Sequence, residues 1–457
     1  MDRIETKKMI EQFSAHLNNV NNQRIIFSGS FGSGKTTFLK EFFENSEMQG
    51  KYFLCKLFPV NYVTSNNKDI YELIKFDVLL QLLGSGISIE RTDFDKCMTI
   101  GKSLKNHSLK LIQSIVESFS LVNEDAKIIE KALDVIADIY EDYKEEKPQN
   151  KINRFLTELE NKTGSSYELN SISLLIREML IKASNLGGTK KETVLLIDDF
   201  DRLEPMQSFR LLNILSVNDN ETNINENKFG FDKIIIVCDI NNLRDCFIHI
   251  NGTANAFNGY IDKFYSTQIF EFNIKEDLVR AMSRWFAKIN IRKDVLDEFY
   301  QRYLNVIQCM INCGSLNIRS LTKMQSASLN VPITRFYDTR SSCDYMKLFF
   351  MVLQEMFAAD QELSNAIYLC SRKSVMMDYL QNSGVISDAL CNLYPKAKNR
   401  EEIEYSMYSP TYKFKLTSDT ISRHWELISI NGEPLGYNSE VPVFSLIEEV
   451  KRRYLNL

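Results

Sequence analysis

The chain has 457 residues, 44% of them hydrophobic and 25% charged, with a net charge of −5. That balance fits a soluble globular protein, and the length suggests two or three domains. The acidic sum gives no global electrostatic case for nucleic acid or an anionic membrane, so nucleic acid stays open as a partner only through a local basic patch. Nine cysteines occur without a CxxC pair, and His16, His107, His249 and His424 lie far apart. Free thiols in a reducing compartment therefore explain the cysteines better than zinc does. The N-terminus (MDRIETKKMIEQF) lacks the apolar core of a signal peptide, and no window reaches about 18 consecutive apolar residues. The expected location is cytoplasmic, with no membrane partner.

Residues 5–20 place Ile10, Phe13 and Leu17 at helical spacing. Arg24–Ser28 reads as a buried strand, followed at once by a glycine-rich turn and an amphipathic helix from Thr36 to Phe43. Tyr52–Phe58 is a second strand, stopped by Pro59, and 69–83 a further helix. From about 88 to 165 the chain is rich in Lys, Glu and Asn with apolar residues at 3.6 spacing, which predicts a soluble helical insertion. A helix over 171–184 and a Gly187-Gly188 break lead into Thr193–Ile197, the most apolar short run and a predicted central parallel strand. After an Asn-rich loop at 218–230, Lys233–Cys238 and Thr267–Phe272 are predicted as further strands. Beyond 275 the pattern is helical, except for a predicted hairpin near 411–430. Strands alternating with helices imply an α/β fold, a doubly wound parallel sheet. The predicted organisation is a core over 1–275, a helical lid over 276–335 and a mainly helical C-terminal domain over 336–457.

Gly29-Ser30-Phe31-Gly32-Ser33-Gly34-Lys35-Thr36 fits G-x-x-x-x-G-K-[ST] at every fixed position, and Thr37 follows it into the helix. Glycines let successive backbone N–H groups converge on phosphate oxygens, and the helix N-terminus adds its dipole. Lys35 then supplies a charge to the β- and γ-phosphates, and the Thr36 hydroxyl is a Mg²⁺ ligand. Val194-Leu195-Leu196-Ile197-Asp198-Asp199 is an apolar strand ending in two carboxylates, the pattern called Walker B. Asp198 is expected to hold Mg²⁺ and Asp199 to polarise the attacking water, although many such enzymes carry a Glu there. Lys35 and Asp198 stand 163 positions apart, and the helical insertion accounts for most of that separation. These motifs define a P-loop NTPase, and the absence of an evident guanine-reading N/T-K-x-D favours ATP.

Asp198-Asp199-Phe200-Asp201-Arg202-Leu203 resembles the IDDLDR signature of the KAP family of P-loop NTPases. Ile235–Asp239 with Asn242-Leu243 is similar to the family's third core strand, Gly259–Phe264 resembles its block before the next strand, and Asn317-Ile318-Arg319-Ser320-Leu321 its N-x-R-x-L element in the lid. The resemblance spans about residues 22–325. It implies an additional-strand ATPase related to the STAND and AAA+ groups, a switch in signalling or in bacterial defence against phage. On that reading Asp239 is a sensor near the γ-phosphate, and Lys263 and Arg319 are cationic sensors or fingers. Arg202 is read as a partner of Asp201 or as a helix cap. Many KAP proteins carry transmembrane helices between the Walker motifs, whereas this insertion is charged.

The stripe over 343–370 reads as helical core, and the tyrosines and phenylalanine of 394–414 leave a docking surface open. No nuclease, protease or deaminase motif is visible, so an effector activity is expected on another chain. Three functions compete: an ATPase switch acting with a homo-oligomer or an effector partner, an ATP-binding scaffold with little turnover, and a nucleic-acid-stimulated ATPase.

Overall fold

The computed structural model describes residues 6–59, 70–85, 87, 171–186, 188–216, 229–253, 255–286, 289–323, 328–334, 342–373, 376–406, 410–418, 423–436 and 439–454. The expected insertion at 88–165 and most of the Asn-rich loop lie outside them. The chain divides into two compact units, Lys7–Phe272 and Asn273–Leu457.

The first unit is built on five parallel strands: β1 (Arg24–Ser28), β2 (Tyr52–Leu57), β3 (Glu192–Ile197), β4 (Lys233–Cys238) and β5 (Phe270–Glu271). Their order in the sheet is β2-β3-β4-β1-β5, so β4 is inserted between β1 and β3. Near-continuous apolar runs such as Ile234–Cys238 exist because both faces of a parallel sheet are covered. Helices α1 (Lys7–Leu17), α2 (Lys35–Glu44), α3 (Ser46–Lys51), α4 (Ile70–Gly84), α5 (Ser171–Ser184), α6 (Pro205–Ser216), α7 (Ile240–Asn251) and α8 (Asn255–Ile261) accompany the sheet. Ile26, Leu195, Ile197 and Ile236 pack with Ile74 of α4, Ile176 of α5, Leu212 of α6 and Phe257 of α8. On the other face Phe27 meets Phe13 of α1 at 5.1 Å and Phe38 of α2 at 5.9 Å between ring centroids. Burying each such ring contributes roughly 2–3 kcal/mol.

β1 to β4 follow the predicted spans within a residue. Thr267–Phe272 yields only Phe270 and Glu271 as paired residues, at the sheet edge, opposite Phe27 and Ser28. Two backbone bonds extend that edge: the Ser266 N–H donates to the Arg24 carbonyl, and the Phe272 N–H to that of Ser28.

The second unit is mostly helical. It holds α9 (Lys275–Phe286), α10 (Lys293–Asn312), α11 (Ile318–Lys323), α12 (Tyr345–Met356), α13 (Asp360–Arg372), α14 (Tyr379–Leu393) and α15 (Val443–Tyr454). The residues expected to form a lid cluster in this unit with the rest of the C-terminal chain. An antiparallel sheet of β6 (Glu402–Ser406), β7 (Thr411–Ser418), β8 (Arg423–Ile430) and β9 (Glu433–Pro434) contains the expected hairpin, with Tyr412 opposite Ile430 and Leu416 opposite Trp425. Phe414, Leu416, Trp425 and Leu427 are buried while Lys413, Lys415 and Glu426 alternate with them, the period of a sheet with one wet face. No helix among the described residues is long and apolar enough to cross a membrane.

Candidate nucleotide site

The loop between β1 and α2 carries Gly29 to Gly34. Gly32 and Gly34 have φ of 74° and 90°, in the left-handed region that favours glycine. A Cβ added at Gly29 would lie 3.0 Å from the Phe272 carbonyl oxygen and 3.2 Å from Ser33 Oγ. Glycine is therefore required there by close approach. Lys35, the first residue of α2, is buried, and its Nζ donates to the carbonyls of Gly29 at 2.6 Å and Ser30 at 3.3 Å. Its ammonium is held inside the loop that it would share with phosphate. The Ser33 hydroxyl is buried without a hydrogen-bond partner, whereas Phe31 at the loop tip is 53% exposed. Thr37 follows within α2.

Two strands away, β3 ends at Asp198, which is fully buried. Its Oδ1 accepts from the Asp199 N–H at 2.9 Å, and its Oδ2 has no hydrogen-bond donor. Lys56 of β2 stands 3.8 Å from that Oδ2. Burial pushes the Asp198 carboxyl above its ordinary range, against the opposing pull of Lys56, the Thr36 hydroxyl and the Asp199 N–H. Burial likewise pulls Lys56 below the usual lysine range, in spite of Asp198. On both partners desolvation outweighs the attraction, so the pair leaves a buried carboxylate under-compensated.

Asp199 adopts φ 51°, an uncommon left-handed conformation for a residue other than glycine, and opens a 3₁₀ turn over Phe200–Arg202. Its carboxylate accepts from Arg202 Nη1 at 2.8 Å. Arg202 thus pairs with Asp199, correcting the expectation of Asp201 or a cap, because a 3₁₀ turn brings residues i and i+3 to one side. Asp201 is buried and turns the other way, its Oδ2 accepting from the Asp239 N–H at 3.1 Å and from Asn242 Nδ2 at 3.2 Å. Asp239, at the end of β4, caps α7 through the Asn241 N–H, and the Ile240 N–H donates to Ser28 Oγ at the end of β1. The ends of β1, β3 and β4 are thereby bolted together, with Asp239 on the strand between the glycine loop and the acidic pair.

Two expected cations lie on segments other than the phosphate loop and the acidic turn. Lys263 is exposed, two residues after Ile261 ends α8, and the chain next meets β1 at Arg24, its first residue. That is the end of the sheet opposite the phosphate loop. In the same block Tyr260 and Phe264 pack on each other at 4.9 Å, so its aromatics serve the core. Arg319 is exposed on α11 in the second unit, where Asn317 accepts from the Ser320 N–H and Leu321 is buried.

A strand, a glycine loop that wraps a lysine, a helix, and an acidic strand end separated by one inserted strand define the protein as a P-loop NTPase of the additional-strand type. The model of the KAP family P-loop domain matches residues 6–265, and the chain belongs to that family. No curated protein matches it. The residues fit a Mg²⁺ ion: Asp198 Oδ2 is a buried oxygen lacking a donor, and the Thr36 hydroxyl reaches the same carboxyl.

Lys56 escaped the sequence reading, and its signal was a lone lysine within the apolar run Tyr52–Phe58. Lys56→Met is expected to lower stability of the nucleotide-free protein by about 1–3 kcal/mol, because it strips Asp198 of its counter-charge. Mg²⁺ with ADP should recover most of that loss in urea unfolding. A loss equally large with and without Mg-ADP would place the Lys56–Asp198 pair outside the metal position.

Proposed function

We propose that the protein is a Mg²⁺-dependent ATPase whose nucleotide cycle drives a conformational or assembly switch, in signalling or in defence against phage, with the effector activity on a separate chain. The observation that supports it best is the placing of the loop-bound Lys35, the donor-less Asp198 Oδ2 and Asp199 at the C-terminal ends of β1 and β3, with the end of β4 between them. Within Gly29–Thr37, backbone N–H groups beyond Gly29, whose own N–H donates to the Cys238 carbonyl, and the Lys35 ammonium take the phosphates. Thr36 and Asp198 would hold Mg²⁺, which neutralises charge on the β- and γ-oxygens when bound. Asp199, released from Arg202, accepts a hydrogen bond from the water that attacks the γ-phosphorus, and ADP and inorganic phosphate leave. Asp239 reports the state of the γ-phosphate through the network that ties Asp201 to β4. Lys263, exposed at the far end of its own sheet, serves a nucleotide only across an interface between protomers, which makes a homo-oligomer part of this reading. Arg319 is the lid's cation in this reading.

Phosphate release from ATP by purified protein tests this, with protein concentration varied. Turnover should rise per chain with concentration if Lys263 acts between protomers, and Asp199→Asn should lower it tenfold or more. Tight, Lys35-dependent ATP binding with no turnover in any oligomer would instead support a nucleotide-loaded scaffold.

A further inference from the structure

The acidic loop after β3 contains a feature that hydrolysis by Asp199 does not itself require. The Arg202 guanidinium lies 5.9 Å from the centre of the Phe31 ring, at the exposed tip of the phosphate loop, while its Nη1 holds the Asp199 carboxylate at 2.8 Å. One side chain therefore spans from the acid to the loop that would enclose the terminal phosphate.

The backbone around it is fixed. Phe200 is fully buried, the Arg202 N–H donates to the Asp199 carbonyl, and Asp201 is locked by the Asp239 N–H and Asn242. The Arg202 side chain, by contrast, is 47% exposed. Any rearrangement here is a side-chain rotation on a rigid turn. A guanidinium fork fits a phosphate as well as a carboxylate, and the terminal phosphate of a triphosphate carries more charge than Asp199. An ion pair as exposed as Arg202–Asp199 contributes no more than about 1 kcal/mol, so exchanging it costs little. A diphosphate lacks the terminal phosphate and so offers Arg202 nothing in exchange for Asp199.

We propose that Arg202 is a positioning residue that reads the terminal phosphate: it holds Asp199 when the site is empty or carries a diphosphate, and it exchanges Asp199 for γ-phosphate oxygens when a triphosphate binds. The exchange frees the Asp199 carboxylate to orient water only when there is a phosphate to attack. This rests on the nucleotide reading of the site above and adds to it the device that separates the two nucleotide states.

The test is the ratio of affinities for the β,γ-imido analogue of ATP and for ADP, both with Mg²⁺, measured on the full chain by competition with a fluorescent ADP. Arg202→Gln is expected to lower that ratio about tenfold while leaving ADP affinity unchanged. Asp199→Asn, which removes the competitor for Arg202, is expected to raise the ratio about threefold. The double variant should fall with Arg202→Gln, and Arg202→Lys should restore part of the ratio. Circular dichroism checks that the substitutions at exposed Arg202 and half-buried Asp199 leave the fold intact. If Arg202→Gln weakens both nucleotides equally or neither, while binding still depends on Lys35, Arg202 is only a surface partner of Asp199 and the nucleotide reading stands. If the wild-type chain binds neither nucleotide, the nucleotide reading falls and this inference falls with it.

Discussion

Lys35→Ala is expected to reduce affinity for ADP and ATP by at least a hundredfold, about 3 kcal/mol, with little change in folding stability. The two halves of that expectation come from the same geometry. Without phosphate, the ammonium is satisfied by the carbonyls of Gly29 and Ser30. Those carbonyls border the loop and can turn to water when the lysine goes, so the free protein should lose only about 1 kcal/mol. With phosphate, no other cation is held inside the glycine loop among its described residues. Arg202 reaches only the tip at Phe31, and Lys56 is committed to Asp198. Fluorescence titration with each nucleotide, beside thermal unfolding of the apo proteins, separates the effects. Unchanged affinity in a folded Lys35→Ala protein would remove the phosphate assignment of the whole loop.

The parts of this site that could be read from sequence are those encoded by local contiguity. The glycine loop, Lys35 and Thr36 follow one another along the chain, and the acids cap a short run of apolar residues that reads as an interior strand and is one. Strand order is a different kind of fact. The pairing of Lys56 with Leu196, and so its approach to Asp198, depends on β2 lying beside β3 in register, a contact between segments with the long insertion between them. The place of β4 between β1 and β3 is equally non-local, and it is what brings Asp239 to the acidic turn. Arg202 shows the limit at short range. Its pairing with Asp199 rather than Asp201 follows from the 3₁₀ geometry and from Asp201 being claimed by β4, and neither is written in the spacing. For Lys263 the motif block was legible, but its aromatic members turn out to pack the core, which carries the lysine to the far end of the sheet.

In the second unit, Asp388→Asn is expected to flatten the pH dependence of unfolding. Asp388 of α14 accepts from Arg302 Nη1 at 3.0 Å and from the Tyr303 hydroxyl at 3.1 Å, both on α10. Glu298 shares the same arginine at 2.6 Å, Asp344 adds a like charge from the N-cap of α12, and His424 and Glu426 face the same cleft from β8. Burial outweighs Arg302 here and pushes the Asp388 carboxyl up to about 7. An unfolded carboxyl titrates near about 3.9, so between these values the folded protein binds a proton that the unfolded chain does not. The resulting stability is full below about pH 4 and is lost as pH rises through about 7, by at most about 4 kcal/mol. Urea unfolding followed by tryptophan fluorescence reads this unit, because both tryptophans, Trp285 and Trp425, fall within it. The wild-type stability minus that of Asp388→Asn should decline from pH 4 to 7 and level off by pH 8; a difference that is flat throughout would mean that Asp388 ionises as an ordinary carboxyl. Arg302→Met should cost about 2–4 kcal/mol at pH 8, where it leaves the ionised, largely covered Asp388 carboxylate without its cation, and clearly less at pH 5, where Asp388 carries its own proton. A loss that does not vary with pH would instead assign Arg302 a packing role, through its stacking on Tyr345 at 4.6 Å.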